Sequence, residues 1–142
     1  MSFGRLGALG RGFGRLGSGG KSGTTLPTAP VLAMDALWTS ADNTPDFTAD
    51  FDATVIAGDS FRLQIQAAGG NWSSLISNTT HTITAPEDAA DEASLSNGTL
   101  ANGNYEARCN VTDGALTSNW SNTVSFTVSA TSTSVTFYIL GF

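Results

Sequence analysis

Residues that serve most catalytic and metal sites are almost missing from this sequence. Among 142 residues there is one histidine, His81, and one cysteine, Cys109. An intrachain disulfide is therefore excluded, and the fold must depend on its hydrophobic core. We expect Cys109 to be a buried strand thiol and His81 an ordinary core or surface imidazole. Without a second chain the sequence supports neither a histidine-rich metal cluster nor a Ser-His-Asp triad, so we predict no enzyme activity, no metal site and no cofactor.

Charged residues are also scarce, and the two signs are separated along the chain. They make up 13% of the residues, against about 25% in an ordinary soluble protein. Residues 24–142 hold all 12 acids and only two bases, Arg62 and Arg108. An acidic body argues against specific nucleic acid binding, because phosphate contacts need Lys and Arg. The other bases lie in the first 23 residues, where there is no acid: Arg5, Arg11, Arg15 and Lys21.

Long apolar runs are missing as well. No stretch approaches the roughly 20 residues that a transmembrane helix needs, so we predict no membrane span. Glycines interrupt the apolar residues near residue 1, which argues against a signal peptide. We therefore expect the protein to be made in the cytoplasm.

The first 23 residues form a segment of their own, a basic arm. Nine are glycine, and the pentapeptide Phe-Gly-Arg-Leu-Gly occurs twice, at Phe3–Gly7 and Phe13–Gly17. The apolar side chains recur at helical spacing, but each glycine costs a helix about 1 kcal/mol. We expect the arm to be disordered alone, either as a plain leader or as an anchor that orders on a partner. The predicted partner contacts are the apolar anchors Phe3, Leu6, Leu9, Phe13 and Leu16 and the bases Arg5, Arg11 and Arg15.

Beyond the arm the pattern changes to short strands. Residues 24–30 carry two prolines and predict an extended linker. Residues 31–128 contain alternating runs bounded by turns, of which Ser60–Ala67 is the clearest, with Phe61, Leu63 and Ile65 on one face. About seven such runs without a convincing helix predict an all-β sandwich or barrel.

Three weaker segments lie in the middle of the chain. Trp72–Ile76 and His81–Thr84 are predicted to be weak strands, and Pro86–Asp91 an acidic loop. The carboxylates of that loop, and the pair Asp50 and Asp52, form either a solvated acidic surface or a calcium site, since oxygen-rich loops suit that ion. No Asp-x-Asp-x-Asp-Gly loop supports calcium.

Residues 129–142 divide into a polar spacer, residues 129–134, and an apolar, β-prone stretch, Val135–Phe142. If exposed, that stretch would be an aggregation hazard. We expect an extra C-terminal strand that covers the sandwich, adds to a sheet or pairs with a second copy in a homo-oligomer. The possible oligomer contacts are Phe137, Tyr138, Ile139, Leu140 and Phe142.

Residues Leu100–Val111 resemble the sixth strand of fibronectin type III and bacterial immunoglobulin-like domains, in which a Leu and a glycine turn precede a Tyr that opens an alternating strand. Residues Asp113–Val128 look like the following turn and last strand. The resemblance covers residues 31–128 and implies an immunoglobulin-like antiparallel β-sandwich of about seven strands. It also implies that Tyr105 is a tyrosine-corner residue and that Trp120 packs near the final strand.

The arm is similar to short Gly-Arg-Phe-Leu leaders of predicted structural proteins of bacteriophages, and immunoglobulin-like domains recur as decorations on phage heads and tails. The resemblance implies a component of the virion: a head decoration, a head fibre or a tail protein. Its partners would be other virion proteins, namely capsid, portal, neck or tail proteins, together with further copies of itself.

Two other functions stay open. A surface or secreted adhesion module would bind a glycan or a protein, although the missing signal peptide counts against it. Trp72, expected to be the most exposed tryptophan, is then the possible contact to a host-surface glycan. A membrane-active protein would instead use the glycine-striped arm as an amphipathic helix on lipid.

Overall fold

The computed structural model describes residues 25–132 of the chain. The residues predicted to contact a partner through the arm, or a second copy through the apolar C-terminal stretch, therefore lie outside the described residues. They are Phe3, Arg5, Leu6, Leu9, Arg11, Phe13, Arg15 and Leu16, and Phe137, Tyr138, Ile139, Leu140 and Phe142.

Two antiparallel β-sheets, packed face to face, make up the described part of the chain. Its elements are β1 (Val31–Met34), β2 (Asp46–Asp50), β3 (Ser60–Ala67), β4 (Ser77–Thr82), α1 (Ala85–Ala90), β5 (Glu92–Ser96), β6 (Gly103–Thr112) and β7 (Val124–Val128). The strand orders are β1-β2-β5 in the three-stranded sheet and β4-β3-β6-β7 in the four-stranded sheet. The predicted immunoglobulin-like β-sandwich of seven strands is confirmed.

Strict alternation in β3 and β6 builds the core. Phe61, Leu63 and Ile65 are each at most 2% exposed, because side chains two apart in a strand share a face. Near the end where β6 begins, Phe126 of β7 stacks on Tyr105, with ring centroids 5.6 Å apart, and meets Phe47 of the opposite sheet edge-on at 5.4 Å. Such aromatic pairs add to the free energy gained from burial alone, and the contact of Phe126 with Phe47 joins the two sheets.

The chain crosses from the three-stranded to the four-stranded sheet between β5 and β6, just before Tyr105. The Tyr105 hydroxyl donates a 2.7 Å hydrogen bond to the carbonyl of Ala101, the backward bond of a tyrosine corner. A Cβ at Gly103 would lie 3.3 Å from that hydroxyl oxygen, tighter than ordinary van der Waals contact. The Asn102-Gly103 turn signal therefore marks a connection between sheets, which needs a small residue beside the Tyr105 ring.

Strand β1 is fastened on its free edge by one side chain. Asn122, just before β7, accepts from the amide of Leu32 at 2.9 Å and donates to the carbonyl of the same residue at 2.8 Å. The Asn122 side-chain amide thus makes the two hydrogen bonds that a residue of a neighbouring strand would make. It satisfies the backbone N–H and C=O of Leu32 on the free edge of β1.

Two local predictions are wrong. Residues predicted as an acidic loop form helix α1, which begins after Thr84 with a capping box to Glu87 and has Pro86 in its first turn. Of the weak strands predicted at Trp72–Ile76 and His81–Thr84, only His81 and Thr82 lie in a strand, because the observed strand β4 begins at Ser77 and ends at Thr82. Strand β4 is made of polar residues and gains its hydrogen bonds by pairing with β3. Tertiary pairing there outweighs a weak local pattern.

The chain enters and leaves the sandwich at opposite ends. At the entry end, Pro27 and Pro30 are buried and the amide of Thr28 donates to the Thr54 hydroxyl at 3.0 Å. At the exit end, the amide of Ser129 donates to the carbonyl of Ser40 at 2.7 Å. The described part of the predicted linker therefore packs on the sandwich before β1 begins.

Replacing Tyr105 with Phe should lower the free energy of unfolding by about 1 kcal/mol, because the Ala101 carbonyl loses the hydrogen bond that the hydroxyl donates. Denaturant unfolding of the two proteins measures this difference. Thr127→Val is the matched control, since it removes an exposed hydroxyl that bonds Asn104 at 2.8 Å and should change stability by less than about 0.5 kcal/mol. Equal losses in both variants would contradict the corner's structural role.

Candidate binding face of the four-stranded sheet

The outer face of the four-stranded sheet gathers most of the unusual polar chemistry of the sandwich. Its centre consists of three cross-strand pairs between β3 and β6: Arg62 with Asn110, Gln64 with Arg108, and Gln66 with Glu106. The alternation that buries the core residues points these side chains outward. Three of them are nevertheless buried, at 6% exposure for Gln64 and Asn110 and 1% for Gln66, so something covers this face.

The cover is a stack of two tryptophans on one arginine. The Arg108 guanidinium carbon lies 3.9 Å from the centroid of the Trp120 ring and 4.2 Å from that of Trp72. Its Nε and Nη2 donate to the Gln64 side-chain oxygen at 3.1 and 3.0 Å. Cation–π contact on both faces and hydrogen bonds along one edge fix the plane of the guanidinium.

Each tryptophan belongs to an Asn-Trp-Ser tripeptide, at 71–73 and at 119–121. The second tripeptide is held against β6 by Ser121. The Ser121 backbone amide donates to the Cys109 carbonyl at 2.8 Å, and the Ser121 hydroxyl accepts from the Cys109 amide at 2.9 Å. Trp120 therefore lies over the residue next to Cys109, which is Arg108.

The loop that carries Trp72 has a less common backbone. Trp72 is in the left-handed region with φ 65°, and Gly69 has φ 81°. The buried Gln66 accepts from the Trp72 amide and donates to Glu106 at 2.9 Å. A non-glycine residue with a left-handed backbone is uncommon. Here the hydrogen bond to Gln66, which is itself held by Glu106, fixes the Trp72 backbone so that its ring reaches Arg108.

The three tryptophans divide between the outer face and the core. Trp38, Trp72 and Trp120 are all partly buried, so the expectation that Trp72 is the most exposed of them stays a prediction. Trp120 lies on the outer face beside β6, the neighbour of the final strand β7. Trp38 packs edge-on against Phe126 at 5.9 Å, and its indole nitrogen is buried without a hydrogen-bond partner. Sequence reasoning missed Arg108, Gln64 and Gln66 as site residues; the repeated Asn-Trp-Ser tripeptide was the available signal.

The charge of this face is opposite to that of the rest of the sandwich. Arg62 and Arg108 are the only Lys or Arg residues between 24 and 142, against 12 acids, and both lie here. Neither forms an ion pair with another residue of the described range, where the one such pair joins His81 and Glu87. Burial lowers the pKa of the Arg108 guanidinium from its usual value, and no carboxylate offsets that cost.

His81 and Glu87 form a separate polar cluster that ties β4 to helix α1. The Glu87 carboxylate lies 2.9 Å from His81 Nε2 and accepts from the amides of Thr84 and Ser94 at 2.9 and 3.1 Å. Burial alone would raise the pKa of this carboxyl. Hydrogen bonds from Thr84, His81 and Ser94 outweigh burial and hold the pKa at about 2.

Other predicted site residues are not brought together. Cys109 is fully buried, and burial raises the pKa of its thiol to about 12 although a bond with Ser121 opposes the shift. Such a thiol is inert at neutral pH. Asp50 and Asp52 are exposed, and among residues 25–132 no three His, Cys, Asp or Glu side chains are placed to hold a metal ion. No helix of that range has the length and apolar character to cross a membrane.

No family model and no curated protein sequence matches the chain. Solved structures do resemble it. A myokine structure is 16% identical and has a TM-score of 0.50, over 72% of this chain and 97% of that one. The fibronectin type III domain of human fibronectin type III domain containing protein 3 is 15% identical, with a TM-score of 0.49 over 79% and 94% of the two chains. The chicken interferon gamma receptor alpha chain is 11% identical, with a TM-score of 0.49 over 71% and 50%.

Similarity at such low identity concerns the fold alone. It supports no statement about partner or particle. The chain has the fold of a fibronectin type III-like, immunoglobulin-like β-sandwich, and the resemblance of its arm to phage leaders stays a prediction.

Gly70→Ala should destabilise the protein by about 1–3 kcal/mol, the usual cost of overpacking. The added Cβ would lie 2.6 Å from the Gln66 side-chain oxygen, which is buried and already bonded to Trp72. Thermal unfolding and the near-ultraviolet circular dichroism of the stacked tryptophans measure the effect. Gly98→Ala is the control, because a Cβ there meets no atom within 4 Å. A Gly70→Ala protein as stable as the control would show that the loop is not packed as described.

Glu87→Gln should remove a pH-dependent share of stability. Since folding lowers the Glu87 pKa from 4.5 to about 2, the carboxylate stabilises the fold fully above pH 4.5, and this contribution falls as the pH drops towards 2. The difference in unfolding free energy between wild type and variant should therefore shrink over that interval. Glu92→Gln, an exposed carboxylate of β5, serves as the control and should give a smaller difference. A Glu87→Gln difference that is constant with pH would exclude the hydrogen-bonded carboxylate.

Proposed function

We propose that the protein is a non-enzymatic structural component of a phage particle, such as a head decoration, a head fibre or a tail protein. Residues 1–23 would dock on the particle and the sandwich would project from it. The observation that carries the proposal is the placement of the two chain exits. Because the chain enters at one end of the sandwich and continues beyond Ser132 at the other, an anchored arm leaves both outer faces and the exit end free.

The negative charge at the entry end of the sandwich supports this arrangement, in which the basic arm binds an acidic surface of the particle and the sandwich stays away from that surface. Eight of the 12 acids belong to the segments that meet there. The arm carries four bases and no acid. Attraction of the arm and repulsion of the entry end would together orient the sandwich outward. The eight are Asp50, Asp52, Asp59, Glu87, Asp88, Asp91, Glu92 and Asp113.

The apolar stretch after Ser132 fits the same arrangement. In sequence it follows the exit end of the sandwich, whereas the arm precedes the entry end. Its bulky residues would pair between copies and give a homo-oligomer on the particle: Phe137, Tyr138, Ile139, Leu140 and Phe142. Capsid, portal, neck and tail proteins are the partners that the arm would contact.

A surface or secreted adhesion module is the second candidate function. The specific observation in its favour is the stack of Trp72, Arg108 and Trp120, because Trp and Arg are enriched where proteins recognise partners. In this case the sandwich itself would carry the activity and the arm would serve only as a tether.

Deleting residues 1–23 should abolish incorporation into particles while the sandwich stays folded. The double variant Phe3→Ser with Phe13→Ser should reduce incorporation by more than about tenfold, since two aromatic side chains that became buried on docking would contribute more than the roughly 1.4 kcal/mol to which that factor corresponds. Gradient sedimentation of a source lysate, read by mass spectrometry against the major coat protein, gives the copy number. Ser18→Ala, in the same arm, is the control. Normal incorporation of the truncated protein, or migration of the wild type as a free small species, would refute the proposal.

A further inference from the structure

Two arginines on the outer face have no acidic partner in a sandwich that is otherwise rich in acid. Arg62 is exposed and Arg108 is partly buried, yet no carboxylate of residues 25–132 pairs with either. Glu106, the one acid in the three central pairs of this face, is engaged by the Gln66 amide instead. The positive charges of Arg62 and Arg108 are therefore not neutralised by a carboxylate of the described residues and are available to an anion from outside.

The two guanidinium groups are placed to act together. Arg62 lies opposite Asn110 and Arg108 opposite Gln64, so the two arginines are diagonal neighbours on one face. Their β-carbons are therefore roughly 7–8 Å apart, a distance that two long side chains can close on one carboxylate. Paired guanidinium groups bind planar carboxylates with short, directional hydrogen bonds.

Arg108 is already immobilised before any ligand arrives. The Trp72 and Trp120 rings hold both faces of its guanidinium, and Gln64 holds the edge formed by Nε and Nη2. Nη1 donates to no residue of the described sandwich. A donor fixed in this way loses little conformational freedom on binding, and its partial desolvation strengthens contact with an anion.

The tryptophans indicate what else the ligand presents. Both rings are partly exposed beside the open guanidinium edge, and buried side-chain amides lie beneath them. Aromatic rings with fixed polar groups at their rim suit a rigid saturated ring that has apolar C–H faces and hydroxyl edges. A pyranose with a carboxylate has this chemistry, whereas an acidic peptide offers charge without a rigid apolar face.

We propose that the outer face of the four-stranded sheet binds a carboxylated saccharide, with its carboxylate between Arg62 and Arg108 and its ring against Trp72 or Trp120. The site needs no contribution from residues 1–23, so it stands whether or not the arm anchors the protein on a particle.

Calorimetric titration of the full-length protein tests this site with three probes: a galacturonic acid tetramer, an alginate tetramer and sialyllactose. The methyl ester of the galacturonic acid tetramer supplies the same rings without charge. At least one acidic probe should bind, and Arg62→Gln should weaken it by about tenfold, the loss expected for a charged hydrogen bond. Arg62 is exposed, so this variant should unfold as the wild type does.

Ser96→Asp is the matched control, because it changes the net charge by the same amount on the three-stranded sheet and should leave binding unchanged. Failure of all three acidic probes to bind the wild type at millimolar concentration would overturn the proposal. Equal binding of the methyl ester, an equal loss in Ser96→Asp, or no loss in Arg62→Gln would overturn it as well. Binding of an aspartate tetrapeptide with no saccharide binding would assign the face to acidic protein segments instead.

Discussion

The pairing of β3 with β6 fixes both sides of the four-stranded sheet at once. Phe61 lies opposite Val111, and Leu63 opposite Cys109, in the core. The residues between them place Arg62 and Gln64 on the outer surface. A slip of one residue in either strand would move every one of these side chains to the other face. The hydrophobic core thus determines the geometry of the polar face, although the two share no side chain.

The outer face of the four-stranded sheet also depends on hydrogen bonds made by β6 and β3. Ser121 bonds both backbone groups of Cys109, and this places Trp120 over the neighbouring Arg108. The Trp72 loop is fixed from β3 by the buried Gln66. Two loops that are distant in sequence therefore meet on one guanidinium because each is tied to a central strand. Loss of either tie would leave a polar group of the sheet or its loop without its hydrogen-bond partner, which is costly where that group stays buried.

Much of the sandwich is predictable from the sequence, since β3 and β6 alternate clearly between apolar and polar residues. Strand β4 is not, because Ser77–Thr82 contains no apolar residue and depends on β3 for its partners. Helix α1 had a usable signal, Thr84 followed three residues later by Glu87, which the acidic composition of the segment obscured. The repeated Asn-Trp-Ser tripeptide marked two related tryptophans, but their stacking on Arg108 could not be predicted, because it depends on strand register and on a left-handed backbone at Trp72.

The opposite placement of the chain exits also determines how the molecule bears mechanical load. Tension applied between the arm and the segment beyond Ser132 would act along the strands and shear β1 against β2. The bonds of those strands would then resist together instead of opening one after another. Asn122, which hydrogen-bonds the Leu32 backbone on the edge of β1 that faces away from β2, would share that load. Survival under force depends on the unfolding rate rather than on equilibrium stability, so a single amide side chain contributes to the endurance of the whole sandwich.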